Sequence, residues 1–195
     1  GQNLISDITI ISDDMGSIEL EDNKKAKGIG TEIGAFLRLD DLKPGFAFGQ
    51  IDRSIIMNAH QVNARIILPV APYDKVVQGT NIDYIFYANN YEQVDENHPV
   101  IEKIPNYREA LKVFSEGKVM SKGTTSTTGI VGTYFANIFG PVQSKEEHEK
   151  IAEQYFNHFY QSGIFVGQIR TQLGIGGMEQ RGPEIAAKAL IELIS

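Results

Sequence analysis

Ile82-Asp83-Tyr84-Ile85-Phe86-Tyr87 is the run on which the fold turns. Five of its six residues are β-branched or aromatic, the composition of a buried strand. Residues 65–70 (RIILPV) share that character, and the two runs are the strongest strand candidates in the chain. Working outward, the N-terminal side reads as further strands. Residues 8–11 form a β-branched run that stops at the turn cluster Ser12-Asp13-Asp14-Met15-Gly16. Ile18-Glu19-Leu20 alternates, residues 21–25 make a polar loop, and residues 34–39 (GAFLRL) form another strand. Lys43-Pro44-Gly45 is a turn signal, and residues 46–57 hold two apolar stretches broken at Asp52-Arg53.

The C-terminal side turns helical. Asn106 caps a helix, with Glu109 completing a capping box and Gly117 ending it. Ser144 and Glu147 repeat the pattern, and Ile151, Ala152, Tyr155, Phe156 and Phe159 follow as an apolar stripe at helical spacing. Residues 164–169 form a strand, and Pro183 suits the first turn of a last amphipathic helix. Strands first and helices later describe an α/β chain, a mixed sheet flanked by helices, read as one domain over residues 1–195. The helices from Ser144 and Pro183 are expected to pack on a sheet containing both residues 65–70 and residues 82–87, because a sheet face can bury both stripes.

Length and composition exclude several classes. The chain has 195 residues, 42% hydrophobic and 22% charged, enough for a real core. No run approaches the roughly 20 apolar residues of a membrane span, so no membrane partner is expected. There are no cysteines, which excludes disulfides, thiolate zinc and a cysteine nucleophile and fits a cytoplasmic setting. A net charge of −7 argues against a general nucleic-acid binder but leaves room for a local cationic pocket. No basic region followed by an apolar stretch marks a signal peptide. The opening Gly1-Gln2-Asn3 lacks an initiator methionine, so the chain is expected to be a piece of a longer one.

Four places carry chemistry. Asp13-Asp14, at the end of an apolar run, suits a divalent cation, since Mg²⁺ is held by one or two carboxylates plus phosphates; a plain turn is the alternative. Arg38 and Arg65 sit in apolar strands, where a guanidinium needs either a protein carboxylate or a bound phosphate or carboxylate. Residues 122–129 (KGTTSTTG), with Thr124 near their centre, offer amides and hydroxyls to an anion, or form a flexible loop. Gly174-Ile175-Gly176-Gly177 allows a ligand close to the backbone. Neither G-x-x-x-x-G-K-[ST] nor G-x-G-x-x-G occurs. His60, His98, His148 and His158 are scattered and read as ordinary residues.

The order of these pieces resembles the carboxyl-terminal, nucleotide-binding part of ATP-dependent phosphoenolpyruvate carboxykinase, from just after that family's P-loop. Ile11-Ser12-Asp13-Asp14 resembles the family's Ile-Gly-Asp-Asp, and Glu32-Ile33-Gly34-Ala35-Phe36-Leu37-Arg38 its Glu-Gly-Gly-Cys-Tyr-Ala-Lys. Asn63-Ala64-Arg65-Ile66-Ile67-Leu68-Pro69 resembles Asn-Thr-Arg-x-x-Tyr-Pro, and Tyr84-Ile85-Phe86-Tyr87-Ala88-Asn89-Asn90 the Ile-Phe-Leu-Thr-Ala-Asp strand. The segment from Phe114 to Thr125 resembles the one ending Gly-Thr-Glu. Phe135-Ala136-Asn137-Ile138-Phe139-Gly140 resembles Ser-Ala-Cys-Phe-Gly, and Thr171-Gln172-Leu173-Gly174-Ile175-Gly176-Gly177 the Thr-Gly-Trp-x-Gly-x-Gly loop near the adenine. The series spans nearly the whole chain in one order.

The resemblance implies the fold of that domain, binding of ATP with Mg²⁺ or Mn²⁺, and a nucleotide or oxo-acid ligand. It implies a metal on Asp14 supported by Asp13, and Arg38 and Arg65 on the transferring phosphoryl group, with Thr124, Gly174 and Gly176 near the nucleotide. It also implies an upstream domain of the same chain as partner. The departures are definite: the P-loop lysine and threonine and the family's upstream metal-binding lysine and histidine are absent, Met15-Gly16 stands where the family has Glu-His, and Gly123-Thr124-Thr125 where it has Gly-Thr-Glu. A divergent domain, inactive by itself, follows; the alternative is a non-catalytic binding or structural domain that keeps only the fold.

Overall fold

The alternating Ile18-Glu19-Leu20 lies in β1 (Gly16–Glu21), which pairs antiparallel with β2 (Lys25–Gly30), Glu21 opposite Lys25. The computed structural model of the chain describes residues 5, 8–22, 25–32, 34–38, 55–57, 65–69, 71–122, 128–138, 140 and 143–195. The turn signal at 43–45 and the 46–54 portion of the broken apolar stretch lie outside these. The chain divides into two compact units, residues 1–82 and 83–195.

In the first unit, β3 (Gly34–Arg38), β4 (Ile55–Met57) and β5 (Arg65–Pro69) form an antiparallel sheet in the order β3-β5-β4. Ala35 and Ile66 are buried in it. A short helix α1 (Tyr73–Gln78) follows, and β6 (Thr80–Asn81) joins the far side of β2 to give the order β1-β2-β6. Val76 of α1 is buried at Gly30, where a Cβ would lie 2.5 Å from its Cγ1 and would meet the Ile11 carbonyl oxygen. That contact explains a correction. Residues 8–11 are not a strand. The Ile11 carbonyl lies in the direction a Cβ takes, out of the sheet plane, so the segment passes over the face of β2 and does not join its ladder.

The second unit is built on β7 (Tyr84–Asn89), β8 (Ile101–Lys103) and, at the centre, β11 (Phe165–Arg170). β11 runs parallel to β7 and antiparallel to β8. Between β8 and β11 lie α2 (Tyr107–Ser115), the hairpin β9 (Lys118–Lys122) and β10 (Thr128–Gly132), and α3 (Lys145–Gln161); α4 (Arg181–Ile194) follows β11. Val166 is fully buried. Tyr87 meets Phe114 edge-on at 5.7 Å, Phe114 meets Phe156 at 5.0 Å, and Phe156 meets Phe159 at 5.6 Å, so the aromatic stripe of α3 reaches the sheet through α2.

β9 stands beside β7 without a ladder. The Tyr87 hydroxyl accepts the Lys118 N–H and donates to the Lys118 carbonyl, both at 2.6 Å. The Asn90 side chain does the same for Met120, at 2.8 and 3.1 Å. Beyond β10, Tyr134 and Asn137 close a tight turn in which Phe135 (φ 49°) and Ala136 (φ 64°) are both left-handed. Such turns favour Asn-Gly, and each Cβ in this region costs about 1–2 kcal/mol.

The fold is thus mixed α/β, small sheets flanked by helices. α3 and α4 pack against β11, as expected for the strand at 82–87, but β5 belongs to a different sheet, because its partners are the antiparallel neighbours β3 and β4. Asn106 does cap α2: its Oδ1 accepts the N–H groups of Arg108 and Glu109 at 3.1 and 3.0 Å, and its Nδ2 donates to Glu109 Oε1 at 2.7 Å. Ser144 does not cap α3. It is left-handed (φ 52°, ψ 40°), which turns its hydroxyl away from the first N–H groups. Among the described residues no helix is long and apolar enough to cross a membrane.

Candidate functional site

Arg38 ends β3 and Arg65 begins β5, and the register sets them directly opposite each other. Side-chain period two places positions 38 and 65 on the same face of the ladder, opposite the face of buried Ala35 and Ile66. Two arginine positions thus stand opposite each other in the register of antiparallel strands. The pairing follows from the chain itself: Ile66 and Ala35 must both face the core, and a one-residue slip would turn one of them outward.

Asp13 and Asp14 lie on an exposed bend that leads into β1, so they precede a strand where a position at a strand's carboxyl end was expected. The bend is tied down at Met15. Its carbonyl accepts the hydroxyls of Ser12 and, at 2.9 Å, Thr31, and its N–H donates to Glu32 Oε1 at 3.3 Å. Among the described residues no three His, Cys, Asp or Glu side chains gather into a metal cage. Two adjacent exposed carboxylates fit the mode in which Mg²⁺ or Mn²⁺ keeps waters and takes its other ligands from substrate phosphates, and do not fit an all-protein site.

The remaining candidates separate. Thr124 lies outside the described residues. Gly174 donates its N–H to the Asn90 carbonyl at 2.8 Å, and a Cβ there would strike Met120, so its lack of a side chain serves packing against β9. Gly176 has open space where its Cβ would be. The structure therefore pairs Arg38 with Arg65, sets Asp13 and Asp14 on the approach to another sheet of the same unit, and puts Gly174 and Gly176 in the second unit.

Arg170 was not singled out by the sequence reading. It is 2% exposed at the end of β11. Its Nε donates to Glu92 Oε2 at 2.9 Å, and its Nη1 to the Pro99 carbonyl and Glu102 Oε2, each at 2.9 Å. Burial raises the Glu102 pKa, but hydrogen bonds from Arg170 and Gln168 outweigh it and hold the carboxyl below its ordinary value. Burial, with help from Tyr87, pushes Tyr91 up to about 12, and burial likewise pushes up Tyr160, whose hydroxyl donates to the Ile104 carbonyl, to about 12. The signal for Arg170 was present in FVGQIR, an arginine at one end of an apolar strand, as with Arg38 and Arg65. His98 pairs with Asp95 at 2.9 Å, and His148 with the Tyr134 hydroxyl at 2.9 Å; His60 lies outside the described residues. No protein-family model matches the chain, and no curated protein matches it.

Proposed function

We propose that the chain is a divergent domain of the phosphoenolpyruvate carboxykinase type that binds the phosphates of a nucleotide together with a divalent cation. The observation that carries this reading is the facing of Arg38 and Arg65 across β3 and β5. These are the two positions that the resemblance assigns to phosphate and substrate, and the register brings them to one place on the sheet. Guanidinium groups suit this role because their donors form a planar fork that matches phosphate oxygens two at a time. Asp14, with Asp13 beside it, holds the cation on the bend before β1. When bound, Mg²⁺ or Mn²⁺ neutralises charge on phosphate oxygens. An oxo-acid carboxylate meets the same arginine donors.

Binding is the expected activity; turnover is not. Phosphoryl transfer needs an amide cradle and a lysine on the β- and γ-phosphates. The 195 residues contain no such motif, and each preorganised donor removed costs about 10²–10³ in rate. The test is calorimetric titration of the chain with ATP in the presence of Mn²⁺. Saturable binding is expected, at least about tenfold weaker in Arg38→Ala/Arg65→Ala, and made independent of Mn²⁺ by Asp14→Asn. Equal affinity in the double variant, or no binding by the wild-type chain, would sink the proposal. Conversion of oxaloacetate and ATP to phosphoenolpyruvate by the wild-type chain, lost in Asp14→Asn, would show that catalysis survives.

A further inference from the structure

Among the described residues, the longer strands that lie at a sheet edge are β1, β3, β7, β9 and β10. β1 carries Glu19 and Glu21, and β3 carries Arg38, charges of the kind that keep an edge from pairing with another chain. β7 and β9 cover each other through the Tyr87 and Asn90 bridges. β10 has neither protection. Its sequence, Thr128-Gly129-Ile130-Val131-Gly132, holds no charge and no proline, and β9 is its one strand partner among the described residues. The β9–β10 sheet has two strands, and a sheet of that size is marginal until further strands join it. Ile130 is 56% exposed, and nothing lies within 4 Å of where a Cβ would stand on Gly129 or Gly132.

We propose that β10 pairs with β10 of a second copy of this chain, antiparallel about a twofold axis, to make a continuous sheet in the order β9-β10-β10-β9. Pairing centred on Ile130 sets Ile130 opposite itself and Gly129 opposite Val131. Directly opposite side chains lie about 4.5–5.5 Å apart, so the two isoleucines cover one another and each valine fills the space beside a glycine. Charge selects the same arrangement. The chain carries a net charge of −7, so two copies meet most readily where neither presents a charge, and a charged residue on the twofold would face its own kind. β10 is a strip where that repulsion is absent. The contact is isologous and therefore closes at two copies. The inference is independent of the roles proposed for Arg38 and Arg65.

Sedimentation of the full chain at concentrations up to about 1 mM is expected to show a monomer–dimer equilibrium. Ile130→Lys and Ile130→Glu each set a charge opposite itself across the axis. Each should weaken association at least about tenfold, with a circular dichroism spectrum unchanged from wild type because position 130 is exposed. Mixed together, the two variants should dimerise again, since lysine then meets glutamate, and salt should weaken that mixed dimer more than the wild-type one. A readout that needs no variant is isotope-filtered magnetic resonance on labelled and unlabelled wild-type chains in equal parts, in which the Ile130 methyls of the two copies should exchange magnetisation. A chain that stays monomeric, wild-type association in either charged variant, or a mixture no tighter than each variant alone would each overturn the proposal. So would transfer from Ile130 to a different part of the second copy.

Discussion

Arg170 shows how an isolated charge inside an apolar strand resolves. Its guanidinium is buried, while the side chains of Glu92 and Glu102 are 37% and 44% exposed. Breaking a wholly buried ion pair costs about 3–5 kcal/mol. Here the carboxylates can turn to water once the arginine is gone, so Arg170→Met is expected to lower stability by about 2 kcal/mol, read from the midpoint of urea unfolding. The pH dependence has a definite sign. Glu102 titrates below the ordinary glutamate value in the folded chain, so its contribution is present above that ordinary value and is lost as pH falls through the lower folded one. The wild-type chain should lose more stability on acidification than Arg170→Met; equal losses would show that the ion pair contributes nothing. From sequence, Arg38, Arg65 and Arg170 look alike. What each of them faces depends on register and on distant loops, Glu92 being 78 residues from Arg170, and no local pattern encodes that.

Helix starts separate what is legible locally from what is not. Asn106-x-x-Glu109 reads as a capping box, and α2 begins there because the box satisfies N–H groups that the helix itself cannot. Ser144-x-x-Glu147 has the same letters, yet the turn before α3 enters with left-handed backbone, which the pattern does not show. The two sites should respond in opposite directions. Asn106→Ala is expected to cost about 1 kcal/mol. Ser144→Gly should be neutral or stabilise by up to about 1 kcal/mol, since glycine adopts the left-handed region without strain. Thermal unfolding of the two variants checks this, and a loss of stability in Ser144→Gly would mean that the serine hydroxyl does cap. The β9–β10 hairpin was missed for a related reason. Lys122 and Thr128 are paired, but the Gly, Thr and Ser residues between them carry the composition of a loop and hide the strands on either side.

On the scale of the molecule, strand-rich and helix-rich halves were legible, while the partition of strands among sheets was not. Residues 65–69 and 84–89 look equally apolar, but β5 finds its partners within its own unit and β7 finds one far along the chain. Residues 83–195 hold a core of their own, with Val166, Phe156, Phe159, Ala110 and Ala186 buried around one sheet. A polypeptide of residues 83–195 is therefore expected to fold by itself and to unfold in one cooperative transition in circular dichroism. A featureless melt would show that this core needs the first 82 residues. The parallel pairing at its centre also sets a timetable. The Asn89 carbonyl accepts from Thr171, 82 residues further on. At a synthesis rate of about 5–20 residues per second, β7 leaves the ribosome several seconds before β11 exists. During that interval Tyr84 and Phe86 belong to an unpaired strand with a bare edge, the kind of segment that captures other nascent chains. The same residues that later stack at the sheet are thus the ones that a chaperone must shield while the chain is being made.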